Sequence, residues 1–276
     1  MFRSRLIALT VAFVLALSAV ATLASADVDP QIAEIIEGIK AGMEEMTPTY
    51  ADLDVEIKAN GQVAEKFVQE MWVKDLSTMR VERSDGTVIL RTPDEFLIFE
   101  GRSKIMLHMP KETIDALGDE ADEAFDAAGL PSSLEKALEP FVKGAEHMTV
   151  VGEVVISESE CWIIDVGEDA FEHFKSVLVG FPPGFEIESV QISIDKELYA
   201  SRSTKIGLKG PAAVEINSMT WTIEEDIEIE DELLAFEPPE DTTTITWTPE
   251  DDPEEIMERF RNAARNEIIR QMQEQG

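Results

Sequence analysis

The chain has 276 residues, with 57 Asp or Glu against 23 Lys or Arg and a formal net charge of −34. A surface of that sign repels phosphate backbones and anionic headgroups, which argues against nucleic-acid binding and against charge-driven docking on an acidic bilayer. High salt and a basic partner both select such solvated carboxylates, and composition does not separate the two.

Arg3 and Arg5 precede an apolar, small-residue stretch from Leu6 to Ala24, and Ala24-Ser25-Ala26 supplies a small-x-small cleavage site. Residues 1–26 therefore read as a secretory signal peptide cut after Ala26; Ser18, Thr22 and the many alanines weaken the alternative of a membrane anchor. The next residue is Asp27 rather than cysteine, so no lipid is expected on the new N-terminus. An exported mature chain, periplasmic or extracellular and not an integral membrane protein, is the expectation. Its single cysteine, Cys161, permits no intrachain disulfide, and its place beside Trp162 in an apolar run fits a buried, inert thiol.

Asp29-Pro30 is a helix start, and Ile32, Ile35, Ile36, Ile39, Met43 and Met46 recur at helical spacing, predicting a helix over about 30–46. Thr47-Pro48 ends it. From Tyr50 the period becomes two, with Ala51, Leu53, Val55, Ile57 and Ala59 on one face; Asn60-Gly61 then turns the chain into a second strand through Phe67, Met71 and Val73. Short strands are expected near 78–84, 87–92, 95–100 and 104–109, broken by Asp85-Gly86, Pro93-Asp94 and Gly101-Arg102-Ser103. A helical insertion over about 111–143 interrupts this meander, with a capping box at Ser132 and Glu135. Strands resume at 148–157 and 160–166, followed by a helical segment through Phe171 and Phe174 and a loop at 180–185. Further strands are expected near residue 190 and at 198–208 and 213–230, the last with a bulge near Asn217-Ser218 where the apolar phase shifts. A helix over about 253–273 closes the chain. No linker or repeat divides 27–276, which reads as a single α+β domain.

Signals for catalysis are missing. His108, His147 and His173 fall in separate elements with no second ligand at metal spacing, and no nucleophile elbow, phosphate loop or dinucleotide fingerprint occurs. The acidic set Asp119, Glu120, Asp122, Glu123 and Asp126 lacks the calcium-loop glycine and reads as a solvated helix face. Neither an enzyme nor a cofactor or metal site is expected. What stands out is apolar surplus: Phe96 and Ile98 against Leu97 and Phe99, Ile105 and Leu107 against Met106, and Ile163 against Trp162 and Ile164 fill both faces of their strands. Helices covering the sheet on both sides account for that; a curled sheet enclosing an apolar cavity is the functional reading.

Trp72-Val73-Lys74, Met79-Arg80-Val81-Glu82, Asp85-Gly86, Phe96-Leu97-Ile98-Phe99 and Ile105-Met106-Leu107-His108-Met109-Pro110 follow one another in the order of signals seen in lipoprotein carriers. The stretch Leu234 to Ile245, with Phe236 and Pro238-Pro239, looks like the terminal strand of that family. The chain thus resembles the outer-membrane lipoprotein-carrier and lipoprotein-sorting superfamily, LolA-like, with its LppX- and RseB-type relatives. The resemblance implies a curved antiparallel half-barrel, an open β-barrel, with a helical lid or plug over an apolar cavity. It implies a lipid or lipoprotein acyl chain as ligand, and an exported carrier as the function. The alternative is an envelope sensor or interaction module of the same fold that regulates a protein partner, its contact being the acidic 210–258 region. On this reading Trp72, Phe96, Phe99, Met106, Trp162 and Trp221 line the cavity, and Arg80 holds the lid through backbone carbonyls. The insertion at 111–143 and the final helix depart from the short carriers.

Overall fold

The computed structural model describes residues 28–118, 121, 125, 134–178 and 184–274. The expected signal peptide, the acidic set at 119–126, Ser132 of the capping box and the loop at 180–183 lie outside them.

Helix α1 (Pro30–Glu44) starts where the Asp29 carboxylate accepts from the Gln31 N–H at 2.8 Å, with proline in the first position. Its 3.6-residue period gathers Ile32, Ile35, Ile36 and Ile39 onto one buried face. Strands β1 (Thr49–Ala59) and β2 (Gln62–Asp75) form a hairpin whose turn residues, Asn60 and Gly61, have φ of 52° and 76°. That is the left-handed pair which a two-residue hairpin turn requires. The meander continues through β3 (Thr78–Arg83), β4 (Val88–Arg91), β5 (Glu95–Glu100) and β6 (Ile105–Pro110), each paired antiparallel with the last.

After α2 (Lys111–Leu117) and α3 (Leu134–Gly144), a second meander runs through β7 (Met148–Ile156), β8 (Ser159–Val166), β9 (Glu186–Asp195), β10 (Ser201–Lys209) and β11 (Val214–Glu224). A 3-10 helix, Glu168–Leu178, sits between β8 and β9. The short strand β12 (Thr243–Thr246) lies parallel to β6, and α4 (Pro253–Glu274) follows it. β11 pairs with β1 and joins the two meanders, so one sheet has the order β12-β6-β5-β4-β3-β2-β1-β11-β10-β9-β8-β7. The linear order leaves the sheet open: this is an α+β half-barrel, the architecture the resemblance implies. β6 and β7 stand near opposite edges, so the insertion that links them has to cross the sheet. Its described part lies on the inner face, where Leu138 and Phe141 of α3 join the α1 isoleucines, Ile256, Met257 and Phe260 of α4, and Leu53, Val55, Met71, Val81, Ile98 and Ile192 of the sheet in the main core.

Two expectations about the second meander need correction. The expected strand over 213–230 stops at Glu224, and the bulge falls at Trp221, between the pairs Asp52–Thr222 and Leu53–Thr220, rather than at Asn217-Ser218. Beyond Asp226, whose φ is 57°, the chain leaves the sheet and crosses its outer face. There Ile229 and Leu234, with Ile227, Leu233 and Phe236, pack on Val88, Leu90, Leu97, Phe99 and Met106 in a second core. Apolar residues at alternate positions read as a strand, and here that alternation faces a sheet surface instead of a neighbouring strand's ladder.

One amide side chain sits badly in the inner core. Gln69 is fully buried between Phe67 and Met71 on β2, and neither its amide nitrogen nor its oxygen has a hydrogen-bond partner. A buried unpaired amide destabilises by about 1–3 kcal/mol. Gln69→Leu, of similar size, is expected to raise the urea-unfolding free energy by about 1 kcal/mol or more. A fall instead would show that an ordered water satisfies the amide.

Candidate functional site

The residues expected to line one cavity are divided between two faces of the sheet. Phe96 faces inward, edge-on to Phe125 with 5.4 Å between ring centroids. Phe99 and Met106 face outward into the second core, Phe99 at 5.1 Å from the Phe236 ring, and Trp72 packs on the same outer face beside Tyr50. The Tyr50 hydroxyl donates to Glu70 at 2.9 Å, and burial followed by that carboxylate pushes its pKa up to about 12. Trp221 is 49 % exposed on the outer face of β11, in phase with Glu215, Asn217 and Met219; the bulge there brings the following Ile223 to the inner face. Trp162 faces inward against Tyr199 at 5.7 Å. The alternation that makes both strand faces apolar also sends neighbouring residues to opposite sides, so the six do not form one pocket.

Arg80 is buried on the outer face of β3. Its guanidinium donates to the backbone carbonyls of Leu233, at 2.9 Å, and Ala235, and to the Glu82 carboxylate. What it holds is thus the covering segment 227–236 and not the helices of the inner face. The forked donor set suits two carbonyls of one extended segment.

The inner face is where an apolar guest would sit, and the protein's own helices occupy it. Among the described residues a crevice of about 140 Å³ remains beneath the C-terminal half of α1, walled by Ile39, Met43, Met46, Met71, Val73 and Ile223. Ligand pockets typically span about 300–1,000 Å³, so this crevice by itself is smaller than the cavity for a long acyl chain that the resemblance implied. Three methionines in the wall give it adaptable, polarisable lining.

A tyrosine latch closes the other side of the crevice. Tyr199, in the β9–β10 connection, has φ of 52° and lays its ring on Gly38 in the middle of α1; a Cβ at Gly38 would stand 2.1 Å from a ring carbon. The connection is held by Asp195, 2 % exposed, whose carboxylate accepts from the N–H groups of Glu197 (2.9 Å) and Leu198 (3.1 Å) and from Arg202 Nε (2.9 Å). Burial works to raise the Asp195 pKa, but these donors outweigh it and hold the carboxyl below its usual range. Arg202 also reaches Ser159 at 3.1 Å, tying the latch to β8. Cys161, on the same strand, is buried, and burial followed by the Asp195 charge pushes its thiol pKa up, away from reactivity.

Sequence reasoning found the α1 isoleucines and methionines but not the latch. Its one visible trace was Gly38, a glycine inside a strongly amphipathic helix, which marks a close approach. The outer face of β1 and β7–β11 carries a larger trough of about 1,100 Å³, whose lining mixes Lys58, Lys205, Asp165, Glu188 and Asn217 with Val151, Phe171, Met219 and Trp221. Burying an acyl chain there would strip water from charges, so the crevice, though smaller, is the apolar site. His108 meets Glu95 at 3.2 Å and His147 meets Asp169 at 3.9 Å, so these two histidines stand in separate pairs. Among the described residues no group of three or more His, Cys, Asp or Glu is arranged to hold a metal, and no helix is long and apolar enough to cross a membrane.

No family model and no curated protein matches the chain. Several solved structures are similar to it. An uncharacterised conserved protein of Thermus thermophilus is 13% identical, with 79% of this chain and 99% of that one covered and a TM-score of 0.43. The MucA/MucB complex of Pseudomonas aeruginosa gives 12% identity, 75% and 61% coverage and a TM-score of 0.43. The lipoprotein LppX of Mycobacterium tuberculosis gives 10% identity, 73% and 100% coverage and 0.41.

Gly38→Ala tests the latch. Against the Tyr199 ring the added methyl is expected to destabilise the protein by about 1–3 kcal/mol. In a Tyr199→Asn background, which tolerates the left-handed backbone, the same change is expected to stabilise by up to about 1 kcal/mol through helix propensity. Thermal or urea unfolding of the four proteins reads the sign reversal; an equal loss in both backgrounds would show that the ring is not what Gly38 accommodates.

Proposed function

We propose that the mature chain is an exported, non-enzymatic acyl-chain carrier, which takes a lipid or the acyl chain of a lipoprotein into the half-barrel in exchange for α1. The observation that carries this reading is the methionine-walled crevice beneath α1, which is continuous with the core that the helix fills.

Magnitudes favour an exchange. The four buried isoleucines of α1 are worth about 6–12 kcal/mol, at about 1.5–3 kcal/mol each. A saturated chain of about fifteen methylenes gains about 12 kcal/mol on burial, at about 0.8 kcal/mol each. Helix and acyl chain thus compete for one surface at similar free energy, and a carrier that must both load and release works near such a balance. Only the end of α1 over the crevice has to lift first, and that end lacks basic residues in its last turn and any side-chain cap. Its retention rests on packing and on the Tyr199 latch.

The test is a fluorescent fatty-acid titration of the mature chain, with native mass spectrometry for co-purifying lipid. Ile39→Ala enlarges the crevice where a chain would enter. It is expected to lower stability by about 2–5 kcal/mol and to tighten probe binding several-fold, because less of the helix has to be displaced. A wild-type protein that never takes up the probe, or a variant that loses stability with no gain in affinity, would remove the crevice from the account.

A further inference from the structure

β7 is the last strand of the sheet order and hydrogen-bonds only β8. Its other edge leaves a row of backbone N–H and C=O groups along nine residues, Met148–Ile156, with no strand beside them among the described residues. The opposite edge is finished by the short parallel strand β12. Proteins commonly blunt a free edge with lysine, proline or inward charges. β7 has no lysine, arginine or proline; its one charge is Glu153, and Val151, Val154 and Val155 are 52 %, 36 % and 66 % exposed. Of the exposed large apolar residues among those described, three of seven thus lie on this one strand.

The charge around the edge decides what fits it. Glu146 and Asp169 stand exposed at the Met148 end, and Glu158 and Glu160 at the hairpin end. Lys196, the cation beside the strand, is already engaged by Glu153 at 2.7 Å and Glu160 at 3.5 Å. Thr149 and Val151 also form one wall of the outer trough, in which Glu168 and Glu188 have no ion pair among the described residues. A second copy of the chain would bring the same valines but also another net charge of −34, and like charges across an edge oppose pairing.

We propose that the β7 edge is a docking site for an extended, basic segment of another protein, added to the sheet as a further strand. Backbone hydrogen bonds to β7 supply the affinity, and alternate side chains supply the selectivity. Apolar side chains of the segment pack on the exposed valines; its lysines or arginines reach the acids at the two ends and Glu168 in the trough. This site is separate from the α1 crevice and does not depend on lipid binding.

The experiment uses fluorescence anisotropy of the mature chain with a labelled Lys-Val repeat peptide of about eight residues, and with the same peptide N-methylated at alternate residues. Both carry identical charge, but only the first can complete a ladder. The unmodified peptide is expected to bind at least about tenfold more tightly, a difference of about 1.4 kcal/mol. The V151K/V155K variant is expected to lose that binding while retaining the wild-type fatty-acid titration. Equal binding of the two peptides would reduce the site to charge alone and overturn the proposal. So would undiminished binding by the variant, or sedimentation showing the wild type as a dimer that does not take the peptide.

Discussion

The apolar contact between the isoleucine face of α1 and the inner surface of the sheet governs the rest of the structure. Twelve strands in linear order leave an open half-barrel whose inner side would expose Leu53, Val55, Met71, Val81 and Ile98 to water. Something apolar has to lie there. In the described structure that filler is the protein itself, with α1 in the middle and α3 and α4 beside it. On the proposed reading the choice of occupant gives this fold its function, because a helix held by packing can be traded for a ligand that packs equally well.

The two halves of the sheet are built for different tasks. From β3 to β6 both faces are apolar and both are covered, the inner by helices and the outer by the segment 227–236 that Arg80 holds through two carbonyls. That half has little freedom to rearrange without exposing one core or the other. From β7 to β11 the outer face is a trough of mixed charged and apolar lining, and among the described residues no strand pairs with the last edge. α1 packs against β7 as well as α3, which places the exchangeable helix next to the unpaired strand.

Much of the fold was legible from period alone. The α1 isoleucines, the β1 alternation, the Asn60-Gly61 turn and the short strands between Asp85-Gly86 and Pro110 all appear where their patterns put them. Local pattern was less able to assign faces. Phe96 and Phe99 each look like cavity residues, yet adjacent parity sends one to the inner core and the other to the outer. Trp221 reads as inward if the bulge falls at Asn217-Ser218; β11 instead keeps its phase to Thr220, a matter of cross-strand register with β1, and Trp221 stays outward. The segment 227–236 has strand-like alternation and no strand partner, because what it packs on is distant in sequence. The Tyr199 latch was hidden for the same reason: Gly38 announces a close approach but not by whom. Nothing in the sequence distinguished an empty half-barrel from a filled one, since the isoleucines that serve as a lid have the same pattern as those of any core helix.

Amide hydrogen exchange of α1, with and without a long-chain fatty acid, tests the helix-for-lipid exchange most directly. The account predicts that the amides of Ile35 to Met43 lose protection on loading, while those of β3 to β6 keep theirs. Binding that leaves α1 as protected as before would contradict it, and would mean that the guest sits somewhere other than the interior that α1 fills.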